Sequence, residues 1–268
     1  MTMLLSVPPV AFAFSFLFSG LLTAPFSFPS DGMTNHLMFL RWIHFLAGIC
    51  WVGLLYFFNL VNVPFMKEMD AVTKSKVFPA LMSRTLWWFR WSSVITVLAG
   101  IWYWMSITGS DARNATAFTG VATSPGAAFG SFFGIWTIVF ALIYALIMVA
   151  KINNGAVLGV AVAVLVSLGA YGYLTVNNHG WESNRMLAIG IGGGLGWIMM
   201  MNVWGIIWRL NKKLIRWQQA FAANGTAIPA EAAALGRMAF LASRTNFWLS
   251  FPLLFLMGAA SHWPAFGR

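Results

Sequence analysis

The sequence predicts an all-α, polytopic membrane helix bundle of about seven transmembrane helices, with a cytoplasmic amino terminus and a periplasmic carboxyl terminus. Three observations carry this. Of the 268 residues, 60% are hydrophobic and 8% charged, with a mean hydropathy of +0.76. The apolar residues gather in several runs near or above about 18 residues, the length that crosses a bilayer. The basic residues sit in the connections between those runs and are shared unequally between the two sides.

Residues 4–23 form an irregular first span containing Pro8 and Pro9, with no basic residue before it, so they fit a secretory signal peptide poorly. The chain is therefore divided into 1–32, this first span with an outer linker, and 33–268, the main transmembrane domain. The second span covers about Leu37 to Phe65, and Pro64 helps to end it. A basic loop with Lys67, Lys74, Lys76, Arg84 and Arg90 leads to a third span at about 88–108. A polar loop from Thr108 to Ser131 precedes the fourth, about Phe132 to Ile152, and Asn153-Asn154-Gly155 turns the chain into the fifth, 156–176. The sixth covers about 186–209 and holds Gly190, Gly192, Gly193, Gly194 and Gly196. So many glycines weaken an isolated helix, so they mark tight packing or the approach of a cofactor. A long loop, 210–245, contains an amphipathic surface helix from Ala230 to Ala242, and a seventh span covers 247–263.

This order sets the orientation. Twelve basic residues (Lys67, Lys74, Lys76, Arg84, Arg90, Lys151, Arg209, Lys212, Lys213, Arg216, Arg237, Arg244) share one side, against Arg41, Arg113, Arg185 and Arg268 on the other. The richer side is cytoplasmic, which puts the amino terminus inside and the carboxyl terminus outside. The net charge of +10 suits anionic lipid headgroups, and its dispersal among short loops argues against nucleic acid as a partner. All six acidic residues, Asp31, Glu68, Asp70, Asp111, Glu182 and Glu231, fall in loops in this reading. That leaves no buried carboxylate for a proton relay and makes a carboxylate-driven transporter a poor fit. The single cysteine, Cys50, excludes a disulfide framework, and there is no CxxCH for covalent haem.

The chemistry concentrates in the second span. An ionisable side chain at the bilayer centre costs about 2.5–3.5 kcal/mol on insertion scales, so an intramembrane histidine is a candidate site. At helical spacing His44, Gly48, Trp51 and Leu55 share a face, with Arg41 one turn above, and Gly48 leaves a notch for a flat cofactor. All four histidines, His36, His44, His179 and His262, fall on the outer side. His44 and His262 are the preferred pair of axial ligands for a haem, with Arg41 and Arg185 as cations for its propionates. The competing reading of His44 is a packing residue bonded to a neighbouring helix; His36 and His179 read as solvated loop residues. Met199, Met200 and Met201 point in three directions and make a copper site improbable. Asn59, Asn62 and Asn202 read as hydrogen-bonding links between helices.

Four ordered motifs carry a resemblance: Leu40 to Gly53, Leu86-Trp87-Trp88-Phe89-Arg90-Trp91, Met201-Asn202-Val203-Trp204 and Leu241-Ala242-Ser243-Arg244-Thr245-Asn246. Together, over about residues 37–264, they resemble the amino-terminal domain of the PuuD-type membrane urate oxidases (urate hydroxylases). Fuller members of that family add a cytochrome c domain after the last span. The resemblance implies a multi-pass oxidoreductase of the bacterial inner (cytoplasmic) membrane and, without a CxxCH in this sequence, a separate cytochrome c as electron outlet. The second span alone also resembles the first-helix pattern of HemJ-type protoporphyrinogen oxidases, which bind haem b, and shares features with CopD-type copper proteins. The expected function is thus a membrane redox protein binding haem b near the periplasmic face. The alternative is a non-catalytic accessory subunit of a larger respiratory or photosynthetic membrane complex.

Overall fold

The computed structural model describes residues 29–266, so the first span expected at 4–23, and Arg268, lie outside the described residues. The chain divides into two units, Met1–Phe39 and Leu40–Arg268. In the described part of the first, Asp31 accepts hydrogen bonds from the backbone N–H groups of Met33 and Thr34 and so caps the helix that begins at Gly32.

The second unit is a helix bundle with no strand among the described residues. Its helices are α1 (Gly32–Glu68, which enters from the first unit), α2 (Ala71–Thr119), α3 (Gly126–Val149), α4 (Gly155–Val176), α5 (Asn184–Asn224) and α6 (Ala232–His262). The first five are long and apolar enough to cross a membrane, and the protein is an integral membrane protein. Each expected span from the second to the seventh corresponds to one of these helices, although the fourth overruns Val149, the end of α3, and the seventh overruns His262, the end of α6, by one residue.

Several boundaries differ from the sequence expectation, each for a local reason. Pro64 does not end α1, because a π-helical turn over Phe57–Asn62 precedes it and the helix continues to Glu68. Lacking an N–H, Pro64 is tolerated where the hydrogen-bond register has already shifted. The basic loop collapses to one turn: Asp70 caps α2 by accepting from Val72 and Thr73 N–H. Lys74, Lys76, Arg84 and Arg90 therefore lie on α2 itself. That helix runs into the polar stretch as far as Thr119, where Gly120, with a φ of 72°, closes it with a left-handed cap, so Asp111 is helical and not in a loop. The long loop expected at 210–245 shrinks to 225–231, because α5 continues as an amphipathic helix to Asn224 and the Ala230–Ala242 helix is the beginning of α6. Asn154 caps α4 and Ser183 caps α5.

The central helix is α5: 78% of its most apolar window is buried, against 22–50% in the other four spans. Glycine makes this position possible. Trp136 and Tyr173 lie where a Cβ on Gly194 and on Gly190 would be, and Trp136 Nε1 donates to the Gly190 carbonyl at 3.1 Å. The glycines at 190 and 194 therefore serve packing.

Because the helices alternate in direction, Lys74, Lys76, Lys151, Lys212, Lys213 and Arg237 gather at one end, called here the basic end. Arg90 sits just inside it on α2, its guanidinium 4.1 Å from the Trp208 ring centroid. His179 and His262 lie at the opposite end. There the loop residue Glu182 is 2% exposed, a buried carboxylate where none is expected from sequence.

Candidate functional site

Towards the end that carries His262, α1, α2, α5 and α6 separate around a cavity of about 810 Å³, with Phe132 of α3 in its wall. That is the size of a site for a cofactor or drug-sized molecule. Most of its wall is apolar, and the polar groups converge from α1, α2 and α6.

His44 is fixed by α2. Its Nδ1 lies 2.8 Å from the Thr96 carbonyl oxygen. A carbonyl can only accept, so Nδ1 carries the proton and the neutral ring keeps its lone pair on Nε2. A carbonyl bonded to one ring nitrogen is the usual way to orient the other for a metal. The ring fits because Gly100, one turn beyond Thr96, has no side chain: a Cβ there would lie 2.8 Å from Nδ1 and 2.9 Å from Cε1. Gly48, one turn below His44 on the same helix, forms part of the cavity wall. A Cβ there would meet the Thr96 methyl at an ordinary contact distance of 3.6 Å.

One turn above, Arg41 donates to the Tyr103 hydroxyl from Nε at 3.1 Å and from Nη2 at 2.6 Å. Its guanidinium also lies 5.0 Å from that ring's centroid. The one ion pair among the described residues joins His179 to Glu182, so no carboxylate of the described residues pairs with Arg41. Trp51 is 2% exposed, and its Nε1 is buried without a hydrogen-bond partner. His262, the last residue of α6, is exposed and lines the cavity. The α5 glycines divide by face: Gly192, Gly193 and Gly196 form cavity wall, whereas Gly190 and Gly194 seat Tyr173 and Trp136.

The structure thus brings Arg41, His44, Gly48, Trp51 and His262 to one cavity. Arg185 is absent from its wall and lies on the first turn of α5, one turn before the lining residue Ile189. Sequence reasoning missed Thr96, Gly100 and Tyr103. Only Gly100 carries a signal, as a glycine inside a span otherwise rich in large residues. No group of three or more His, Cys, Asp or Glu side chains able to hold a metal ion occurs among the described residues. A bare metal would have too few ligands here. A metal that brings its own equatorial ligands needs only one or two imidazoles, which the cavity offers.

No curated protein and no solved structure matches this chain. Residues 33–267 match the model of a family described as Urate oxidase N-terminal.

Proposed function

The chain belongs to the urate oxidase N-terminal family, and from that premise we propose that it is an inner-membrane redox protein that holds haem b in this cavity and passes electrons to a separate cytochrome c. The carrying observation is His44, with its proton held by Thr96 and its ring seated on Gly100. The residues fit the group in three respects. The wall is apolar and rich in glycine, as a flat macrocycle needs. Nε2 of His44 would be the donor that holds the iron, and His262, also on the cavity wall, would be the second. Arg41 lacks a carboxylate and would meet a propionate. When bound, haem supplies one-electron chemistry at its iron. The chain's own residues fix the axial imidazole, compensate negative charge and keep the pocket apolar. In this reading the basic end is cytoplasmic and the cavity opens towards the periplasm, beside the soluble acceptor.

The test is an oxidised-minus-reduced spectrum of the purified full chain. A Soret band should appear, and His44→Ala should abolish or shift it, while the conservative variant Thr96→Ser, which keeps the carbonyl, leaves it in place. A preparation without a Soret band that remains firmly bound to other membrane subunits would instead support the accessory-subunit reading.

A further inference from the structure

Beyond the cavity, towards the basic end, the same helices continue with polar side chains. On α1 the cavity wall ends at Gly53, and Tyr56, Asn59 and Asn62 follow. On α5 it ends at Gly196, and Asn202 follows. On α6 it begins at Leu253, preceded by Ser250, Asn246 and Ser243. Since α6 runs opposite to α1 and α5, all of these lie on one side of the cavity. At about 1.5 Å per residue the column extends roughly 14 Å along α1. Hydrogen bonds join its walls: Tyr56 Oη with Ser250 Oγ at 3.1 Å, Asn59 Nδ2 to Ser243 Oγ at 3.0 Å, and Asn202 Nδ2 to Asn246 Oδ1 at 2.9 Å. Asn246 Nδ2 in turn donates to the Met199 carbonyl at 2.9 Å.

Links between helices account for the donors in this column but not for the acceptors. Oδ1 of Asn59, Asn62 and Asn202 are all buried without a partner. Each such orphan costs about 1–3 kcal/mol. Turning an amide over would only leave its other end unpaired. Three orphaned amides in one column of an apolar bundle call for a shared small donor, and water, which makes two to four hydrogen bonds, is the smallest. The backbone agrees independently. Asn59 and Asn62 lie in the π-helical turn Phe57–Asn62, and Asn202 immediately precedes a second, Val203–Ile207. Such turns cluster at functional sites, and departures from regular helix at membrane depth persist where they line water or protein. On α1, between the cavity residue His44 and the column, Trp51 also holds a buried Nε1 without a partner. At the basic end Arg244, whose guanidinium packs against Phe240 and Phe247, is the charged group beside it. Tyr56 is the only titratable side chain within the column.

We propose that this column is a water-filled proton path between the basic end of the bundle and the cavity. Protons pass along hydrogen-bonded water, and the amides hold that water without changing charge. Its service to chemistry rests on the redox reading above: removing two electrons from an organic substrate releases two protons, the electrons leaving to the cytochrome c and the protons through the column.

Neither arm of the test needs a cofactor or substrate, so its failure is separate from failure of the haem assignment. In pulsed hydroxyl-radical labelling of the full chain, Met199 and Met82, whose Sδ lies 3.9 Å from Asn62 Nδ2, should oxidise several-fold faster than Met186, although all three are buried. In liposomes carrying a pH dye, a potassium diffusion potential should drive proton flux well above that of empty liposomes. The N59L/N202L variant should lose both signals while keeping its size-exclusion profile, and N59S/N202S, which restores hydroxyl groups, should recover them. Equal labelling of Met199 and Met186 overturns the proposal. So does labelling without flux, or flux unchanged in N59L/N202L.

Discussion

The two halves of the bundle use opposite devices to interrupt an apolar interior. In the cavity half, side chains are missing: Gly48, Gly100, Gly192, Gly193 and Gly196 line a space. In the basic half the helices close, and polar amides fill the seam instead, three of them with an acceptor unpaired. Glycine creates room at little enthalpic cost to its neighbours, whereas a buried amide creates a demand for a partner. The first device suits a large, flat guest and the second a small polar one.

The largest test of this contrast concerns the glycines of α5 that make no room at all. Trp136 is fully buried, fills the gap at Gly194 and bonds the Gly190 carbonyl. Truncating Trp136→Ala should cost about 3–5 kcal/mol, as for other buried aromatics, read as an earlier midpoint in denaturant unfolding in detergent. A small loss would mean that α5 is not held as described.

Next come the glycines themselves, which should divide by position and not by sequence proximity. Gly190→Ala puts a methyl into the Tyr173 hydroxyl and should cost about 1–3 kcal/mol by overpacking. Gly258→Ala, on the cavity wall, meets nothing within 4 Å and should not destabilise, the added methyl raising helix propensity instead. Equal effects at both positions would erase the distinction between packing glycines and cavity glycines.

In the amide half the effects are smaller. Asn246→Leu removes both the acceptor for Asn202 and the donor to Met199. Hydrogen bonds between membrane helices average about 0.6 kcal/mol with a maximum near about 1.7, so a shift within that range is expected in the same unfolding assay. A much larger loss would mean that Asn246 organises the fold and not only the seam.

The sequence discloses the two halves unevenly. Hydropathy locates the six described helices, and the intramembrane His44 with Arg41 marks the cavity, because charge within an apolar run is visible in one dimension. His44's seat is not visible there. Thr96 contributes a backbone carbonyl, which every residue has, and Gly100 is one glycine of 25. Helix ends are also obscured. Composition treats Lys74, Arg84 and Asp111 as loop-like, whereas capping by Asp70 and Gly120 lets α2 run for 49 residues. Asn59, Asn62 and Asn202 can be read as linking residues, but that their amides pair incompletely emerges only in three dimensions.

Glu182 gives the smallest effect and sharpens the contrast, because it is buried and polar yet fully supplied with donors. It lies in the loop before α5, outside the spans. Both carboxylate oxygens accept from the His179 backbone N–H, at 3.1 and 3.0 Å, and Oε1 accepts from His179 Nδ1 at 2.7 Å. Burial alone pushes its pKa up, but the hydrogen bonds from His179 and from its own backbone N–H outweigh this and hold it below the ordinary value of 4.5. The folded protein therefore favours the ionised carboxylate more than the unfolded chain does. Its contribution is complete above pH 4.5 and is lost as pH falls below that value, through the lower folded pKa. Unfolding midpoints followed downward from pH 6 should decline below 4.5 in the wild type. In Glu182→Gln the decline should be shallower, and the neutral-pH stability slightly lower, by under about 1 kcal/mol given the exposed His179 partner. Parallel curves for the two proteins would mean that the buried carboxylate is no better satisfied than the orphaned amides of the bundle.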